Sequence, residues 1–296
     1  MLHLGLDIGG TFIKYALVDD EMQVVKKWKK PTIKFETKDA FYDYLCSDID
    51  CLDEIDYVGV SAPGVISEDS TVLSKAAINV RIMQYTNVNE EIGKRLNKPC
   101  ATINDAKAAG FCEMQMGNGK NSKSSVYYVI GTGIGGCVCD ESRVIQGVDG
   151  IAGEFSCLPI IRPNGTMGQL SDIASMTALV DIYNRDLENE AKLQYGKDIC
   201  NLYLKEDKHA IEAMDEWCNN ILMGMYLIIT FYNPEVICLG GGISEEDWFI
   251  NKIKSMFDQS QWGLRSLTTT RIDRCKYSND ANILGAILFA KQQTKQ

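Results

Sequence analysis

The sequence predicts an α/β protein of two similar lobes around a central cleft, and three features carry that prediction. The first is the stretch 126–136, VYYVIGTGIGG, where an apolar run rich in β-branched and aromatic side chains stops abruptly at glycines. Such a run reads as a buried strand. Gly131-Thr132-Gly133 at its end reads as a tight turn whose bare backbone N–H groups can approach an anion. The second feature is repetition. The same device occurs at 7–11 (DIGGT) and 239–244 (LGGGIS), and both halves of the chain open with strand, glycine turn and strand. The third is length, since 296 residues can form two domains with a core each. Residues 1–117 with a terminal helix over 281–296 are expected to form one lobe, and 118–280 the other.

In chain order, Leu2, Leu4, Leu6 and Ile8 alternate with His3, Gly5 and Asp7, the period of a strand with one face in a core. The chain turns at Gly9-Gly10, returns through Ile13, Tyr15 and Leu17, turns at Asp19-Asp20-Glu21 and runs back over 23–30. The result is an antiparallel meander with DIGGT at the tip of its first hairpin. A helix is expected over 38–45 and a strand over 57–61, ending in Ala62-Pro63-Gly64. Asn87 to Glu90 has capping-box spacing, and Val88, Ile92 and Leu96 then recur on one helix face. Pro99 stops that helix before a short strand at 100–103. Asn104-Asp105 caps a helix over 106–116, where a carboxylate suits the N-terminal dipole. The polar stretch 117–125 (GNGKNSKSS) is the best linker by composition. In the second half, strands are expected at 126–130, 136–139, 144–146 and 235–239. Helices are expected over 171–190 and 209–232, from about 245, and near 282–291, the last packing back on the first lobe.

Composition excludes several functions. A formal net charge of −10 argues against a nucleic-acid partner, since binding a phosphate backbone requires a basic face. Lys26, Lys27, Lys29 and Lys30 read as a solvated face. The eleven cysteines are scattered, odd in number, without a CxxC pair and mostly inside apolar runs. With only His3 and His209 as companions, they read as reduced, buried thiols. Cys137, Cys139 and Cys157 could gather around a metal in principle, but the usual zinc spacing is missing. The longest apolar run, 221–232, is too short to span a bilayer, and no signal peptide precedes the strand that begins at residue 2. A soluble, cytoplasmic protein without membrane contact is expected.

Six segments now stand in order, nearly end to end: LGLDIGGTFIK (4–14), GVSAPG (59–64), INDAKAAGFCE (103–113), VIGTGIGG (129–136), GVDGIAGEF (147–155) and NPEVICLGGGIS (233–244). Together they resemble the ROK family of sugar kinases. The resemblance implies two ribonuclease-H-like lobes of the actin/hexokinase-like ATPase fold, ATP and Mg2+ as cofactors, a small sugar as acceptor, and a homodimer. Phosphoryl transfer requires positioning, charge neutralisation and a destination for the hydroxyl proton. By resemblance that destination is Asp105, the catalytic base. Asn104 and Glu154 match residues that hydrogen-bond the sugar hydroxyls. Asp7 matches the acid near Mg2+, reached through water because Mg2+ dehydrates reluctantly. Gly9, Gly10, Thr11, Thr132 and Gly133 would hold the β- and γ-phosphates, and Gly241-Gly242 would pack near the adenosine. Without the family, Asp105 is simply a helix cap, and Lys14 is an exposed strand lysine that could offer charge.

The chain departs from the family pattern in places. Ala152-Gly153-Glu154-Phe155-Ser156-Cys157 lacks the histidine that follows the family's AGE motif. Residues 159–170 (PIIRPNGTMGQL) contain no cysteine or histidine where the zinc loop would be, so no structural zinc is expected. NDAN reads NDAK, with Lys107 one turn into the helix and expected to face solvent. Family members that lack the zinc loop and read AGEF include β-glucoside kinases, so 6-phosphorylation of a β-glucoside such as cellobiose is the favoured expectation. Glucokinase or N-acetylmannosamine kinase is the runner-up. A sugar-sensing transcriptional repressor of the same family would carry a helix-turn-helix before the first strand, and the acidic charge disfavours it. An inactive sugar sensor is disfavoured by the intact Asp105, DIGGT and GTGIGG.

Overall fold

The computed structural model describes residues 1–49, 52–75, 77–162, 165–277 and 280–294. Cys51, Pro163 and Asn164 of the loop expected to be metal-free, and the last two residues of the helix expected over 281–296 lie outside the described residues. The first half runs β1 (Leu2–Ile8), β2 (Phe12–Val18), β3 (Val24–Pro31), α1 (Lys38–Cys46), β4 (Ile55–Ala62), α2 (Val88–Leu96), β5 (Cys100–Asn104) and α3 (Asp105–Met116). The second half begins with β6 (Ser124–Ile130), β7 (Ile134–Asp140), β8 (Pro159–Ile161), β9 (Met167–Gln169), α4 (Ser171–Ala174) and α5 (Met176–Asn184). It continues with α6 (Gly196–Tyr203), α7 (Lys208–Tyr232), β10 (Val236–Gly240), α8 (Asp247–Asp258), β11 (Arg271–Arg274) and α9 (Ala281–Gln293). The chain divides into two compact units. One comprises Met1–Asn121, Cys137–Ala152 and Asn279–Gln296, the other Ser122–Gly136 and Gly153–Ser278.

The first unit is built on a sheet of strand order β3-β2-β1-β4-β5. β1, β2 and β3 form the antiparallel meander, and β4 and β5 add in parallel. Leu4, Leu6 and Ile8 enter a core shared with Phe41, Tyr42 and Leu45 of α1 and Val88, Ile92 and Leu96 of α2. Each such fully buried side chain contributes about 1.5–3 kcal/mol relative to an exposed one. The alternation in β1 predicts a single buried face, yet His3 and Asp7 on the other face are buried too. The reason is α9, which lies on that face because glycines let it approach. A Cβ on Gly59 of β4 would come within 2.3 Å of Ala286 O, and one on Gly285 of α9 within 1.7 Å of Ala108 O in α3.

The second unit holds a sheet of order β11-β10-β6-β7, in which β10 runs parallel to both β6 and β11. The strand β7 begins in this unit and ends in the first. The helix expected over 171–190 breaks at Ser175, whose extended backbone and side-chain bond from Ala178 N (3.1 Å) make it the N-cap of α5. Trp217, fully buried on α7, donates Nε1 to Ser175 O at 2.8 Å and holds that break. The strand expected at 144–146 is reduced to a single bridge between Cys139 and Val144. The strands β8, β9 and β11 are too short to show a period, and α6, although amphipathic, is not among the expected elements. No described helix is long and apolar enough to cross a membrane.

One charge network stiffens the first unit and carries a pH consequence. Glu91 of α2, only 6% exposed, accepts from Lys38 (3.2 Å), Lys94 (2.6 Å) and Arg95 (2.6 Å), and Arg95 reaches on to Asp39 and Asp43 of α1. Burial alone would raise the Glu91 pKa, but the bonds from Lys94, Arg95 and Lys38 bring it down to about 2 from the ordinary 4.5. A carboxylate whose folded-state pKa is lowered stabilises the fold fully above its unfolded pKa, and that contribution is lost as pH falls toward 2. Glu91→Gln is therefore expected to lower stability at pH 7 by about 2 kcal/mol. Denaturant titrations of wild type and variant should converge as the pH approaches 2.

Candidate functional site

In the first unit, the carboxyl end of β1 places Asp7 between two strands at matched register, opposite Lys14 of β2 and Ser61 of β4. Register decides its partners. Ser61 Oγ donates to Asp7 Oδ1 at 2.8 Å, Asn282 Nδ2 of α9 donates to the same oxygen at 3.2 Å, and Lys14 Nζ reaches Oδ2 at 3.2 Å. Asp7 is thus a buried acid with one oxygen toward the half-exposed Lys14 amine. Lys14 is not a free strand lysine.

The turn after Asp7 is organised from behind. Thr32 Oγ1 donates to Gly9 O (2.7 Å), Asn79 Nδ2 to Gly10 O (3.1 Å) and Thr32 N to Thr11 O (2.9 Å). Gly9 N is taken by Phe12 O at 3.1 Å. All three carbonyls are engaged, while the N–H groups of Gly10 and Thr11 have no acceptor among the described residues. A side chain on Gly10 would press on Ala77, 2.9 Å away. The turn therefore offers donors and the exposed Thr11 hydroxyl, the chemistry that suits phosphate oxygens.

Asn104 ends β5 and Asp105 begins α3. Sequence reasoning gives the cap to both, but the structure assigns it to Asn104, whose Oδ1 accepts from Lys107 N at 3.1 Å. Asn104 Nδ2 donates to Gly64 O (2.9 Å) and to Asp105 Oδ1 (3.0 Å), and Asp105 Oδ1 also accepts from Ala106 N at 2.8 Å. Asp105 is thereby oriented without serving as the cap, and it is partly exposed while Asn104 is buried. Lys107, expected in solvent, is 1% exposed and donates Nζ to Gly150 O. The cause is the 147–150 segment, which offers the ammonium a carbonyl.

The second unit repeats the arrangement at 131–133. Met176 N donates to Gly131 O (2.8 Å), Thr177 Oγ1 to Thr132 O (2.8 Å) and Gly131 N to Gly133 O (2.9 Å). Again the carbonyls are held and the N–H groups of Thr132 and Gly133 have no acceptor among the described residues. At the end of β10, Gly241 has φ +90° and a Cβ there would lie 2.1 Å from Ile130 O, so only glycine fits. Its carbonyl is held by Ser244 N and Oγ. A Cβ on Gly242 would meet nothing within 4 Å, which leaves bare backbone open to a flat ligand.

Glu154 is half-buried and positioned by its neighbour. Phe155 stacks on Tyr128 (5.9 Å between centroids) and fills the space over Gly136, where a Cβ would come within 2.1 Å of its ring. Beyond it Cys157 is exposed, and the chain forms the β8–β9 hairpin, pinned by the Arg162–Asp172 ion pair, Gln169 N to Asp172 Oδ2 (3.0 Å) and Leu170 N to Leu158 O (2.8 Å). Cys137 and Cys139, in the first unit, are buried with their sulfurs 3.4 Å apart. Among the described residues no three His, Cys, Asp or Glu side chains converge as metal ligands. A zinc loop does not fit this donor set, in which Cys157 is the only cysteine or histidine over 155–170. Protein purified without added metal or affinity tag is expected to hold well below one zinc per chain by elemental analysis, and stoichiometric zinc on these cysteines would refute it.

Thr32, Asn79, Ser61, Asn282 and the start of α5 were not readable as site residues. Counting back along the β2–β3 hairpin could have paired Thr32 with Thr11, but no local signal marks Asn79 or Asn282.

A family model described as ROK family matches residues 3–293. The chain is 26% identical to a glucokinase of Halalkalibacterium halodurans, over 98% of this chain and 95% of that one. It is also 26% identical to a β-glucoside kinase of Listeria innocua, over 97% and 96%. The crystal structure of a ROK family protein from Streptococcus pneumoniae TIGR4 in complex with sucrose superimposes with a TM-score of 0.85 at 25% identity, covering all of both chains.

Proposed function

The chain belongs to the ROK family, and we propose that it transfers the γ-phosphate of ATP to the C6 hydroxyl of a β-glucoside such as cellobiose. It is an ATP-dependent carbohydrate kinase on the actin/hexokinase-like ATPase fold. In this reading Asp105 accepts the proton of the C6 hydroxyl as that oxygen bonds to the γ-phosphorus and the bond to the β-phosphate oxygen breaks, releasing ADP. Asn104 and Glu154 hold the other hydroxyls of the ring, an amide and a carboxylate being a suitable donor and acceptor for vicinal diols. In the Gly9-Gly10-Thr11 turn the N–H groups of Gly10 and Thr11, and in the second turn those of Thr132 and Gly133, bind the β- and γ-phosphates, and Gly241-Gly242 lie against the adenosine. Asp7, a carboxyl at the end of β1 beside Lys14, would hold Mg2+ through water, and Mg2+ would supply charge neutralisation to the phosphates.

The observation that carries the choice of acceptor is the segment after Glu154. Cys157 cannot make a histidine's directional hydrogen bonds, and the β8–β9 hairpin is held by Arg162 and Asp172 in place of a metal. Both relax the demand for a free hydroxyl at C1, so a substituent there is tolerated. The sucrose complex of the pneumococcal relative supports a pocket that admits a substituted sugar, because both anomeric carbons of sucrose lie in its glycosidic bond.

Comparison of kcat/KM for cellobiose, glucose and N-acetylmannosamine tests the acceptor, since discrimination resides in that ratio. Cellobiose is expected to lead, and a tenfold advantage for either monosaccharide would overturn the open-C1 reading while leaving the kinase intact. For the base, Asp105→Asn is expected to lower kcat by ~10²–10⁴-fold. Because Asn104 supplies the cap, melting temperature and ATP binding should be unchanged. Retention of a tenth of wild-type turnover in a chemistry-limited assay would remove Asp105 from that role.

A further inference from the structure

Resting on the kinase reading above, we infer that Lys107 is a positioning residue for the sugar end of the reaction, its buried ammonium anchoring the 147–152 loop to the start of α3. An ammonium group is costly to bury unless its N–H bonds are satisfied, so Lys107 is not filler for a space that Met or Leu would fill better. Its Nζ donates to Gly150 O, and the residue itself is held rigidly: Lys107 N donates to Asn104 Oδ1 at 3.1 Å and Lys107 O accepts from Cys137 Sγ at 3.7 Å.

The anchored loop, itself part of the first unit, has little freedom where it meets the segment after β4. Gly147 and Gly150 both have positive φ (+73° and +72°), and a Cβ on Gly150 would lie 2.5 Å from Ile66 O. Gly150 thus presses on the segment that follows β4, whose Gly64 carbonyl is held by Asn104 Nδ2 at 2.9 Å. One helical turn, from Asn104 to Lys107, therefore holds two loops by their carbonyls. The 147–150 segment also borders a cavity of about 920 Å³ shared with Thr102 and Phe289, and Val148 is 95% exposed, so packing holds the segment only at Gly150, where the Lys107 bond adds to it. The loop leads within two residues of Ala152 into Glu154, the proposed sugar ligand, while Gly9, Gly10 and Thr11 are tied to Thr32 and Asn79 instead. Loss of the anchor should disturb the sugar and spare the nucleotide.

Two variants and one physical measurement test this. Lys107→Met keeps the apolar stem and removes the donor, and Lys107→Gln keeps an N–H donor on a shorter stem. With the best sugar substrate, Lys107→Met is expected to raise the sugar KM fivefold or more with the KM for ATP within twofold, and Lys107→Gln to recover part of the loss. A smaller rise, or an equal rise for ATP, overturns the inference. Amide hydrogen exchange over 147–152 is expected to be at least tenfold faster in Lys107→Met than in wild type, and equal rates overturn it. If the variant does not fold, the wild type decides. Its Ala152 amide, bonded to Gln146 O at 3.0 Å, must be protected, and exchange at the rate of an unfolded peptide overturns the anchor. If wild type phosphorylates no sugar at all, the kinase reading fails, whereas the exchange result still decides the anchor.

Discussion

A peptide turn carries as many acceptors as donors, so it can face an anion only when its own carbonyls are engaged elsewhere. That constraint governs all three glycine turns. Thr32 and Asn79 tie back the carbonyls of Gly9, Gly10 and Thr11, the beginning of α5 ties back Gly131 and Thr132, and Ser244 ties back Gly241. The break in the helix expected over 171–190 follows from the same need. In an unbroken helix Met176 N would bond the carbonyl four residues earlier. Capped at Ser175, it is released to hold Gly131 O. Trp217 on α7 secures the cap, so a long core helix indirectly shapes a surface turn.

Buried polar groups order the rest of the first unit's site. Asp7, Asn104 and Lys107 are each almost fully enclosed, and each has a partner delivered by a neighbouring strand, helix or loop. A buried polar group left unpaired is destabilising, so the segments that supply those partners hold one another in place. Such preorganisation is what phosphoryl transfer asks of a protein, because the chemistry needs placement more than covalent help. The glycine contacts that seat α9 on β4 and α3 serve the same end, since Asn282 at the start of α9 reaches Asp7.

Much of this was legible in local pattern. Alternation at Leu2, Leu4, Leu6 and Ile8, the Asn87 cap followed by Val88, Ile92 and Leu96, and strand ends marked by Gly9, Gly131 and Gly241 are all set by residues close in sequence. Periodicity and capping act over a few residues, and a single chain displays them directly. Misreadings fell where a distant segment intervened. Lys107 looks like a solvent lysine until the loop ending at Gly150 comes back over it, and the second face of β1 looks open until α9 covers it.

The sequence by itself determined the strand–glycine–strand frames, the order of the elements in the first half, and the types of side chain at Asp7, Asn104, Asp105 and Glu154. Only the tertiary structure decided how those side chains are held. Asn104 rather than Asp105 closes the helix, Lys107 turns inward, and Thr32, Asn79, Ser61 and Asn282 become supports for turns and acids far from them in the chain. The physical reason is that a hydrogen bond to a buried group is specified by which donor the fold brings within about 3 Å. Separations of 69 residues for Asn79 and Gly10, or 275 for Asn282 and Asp7, leave no trace in local sequence.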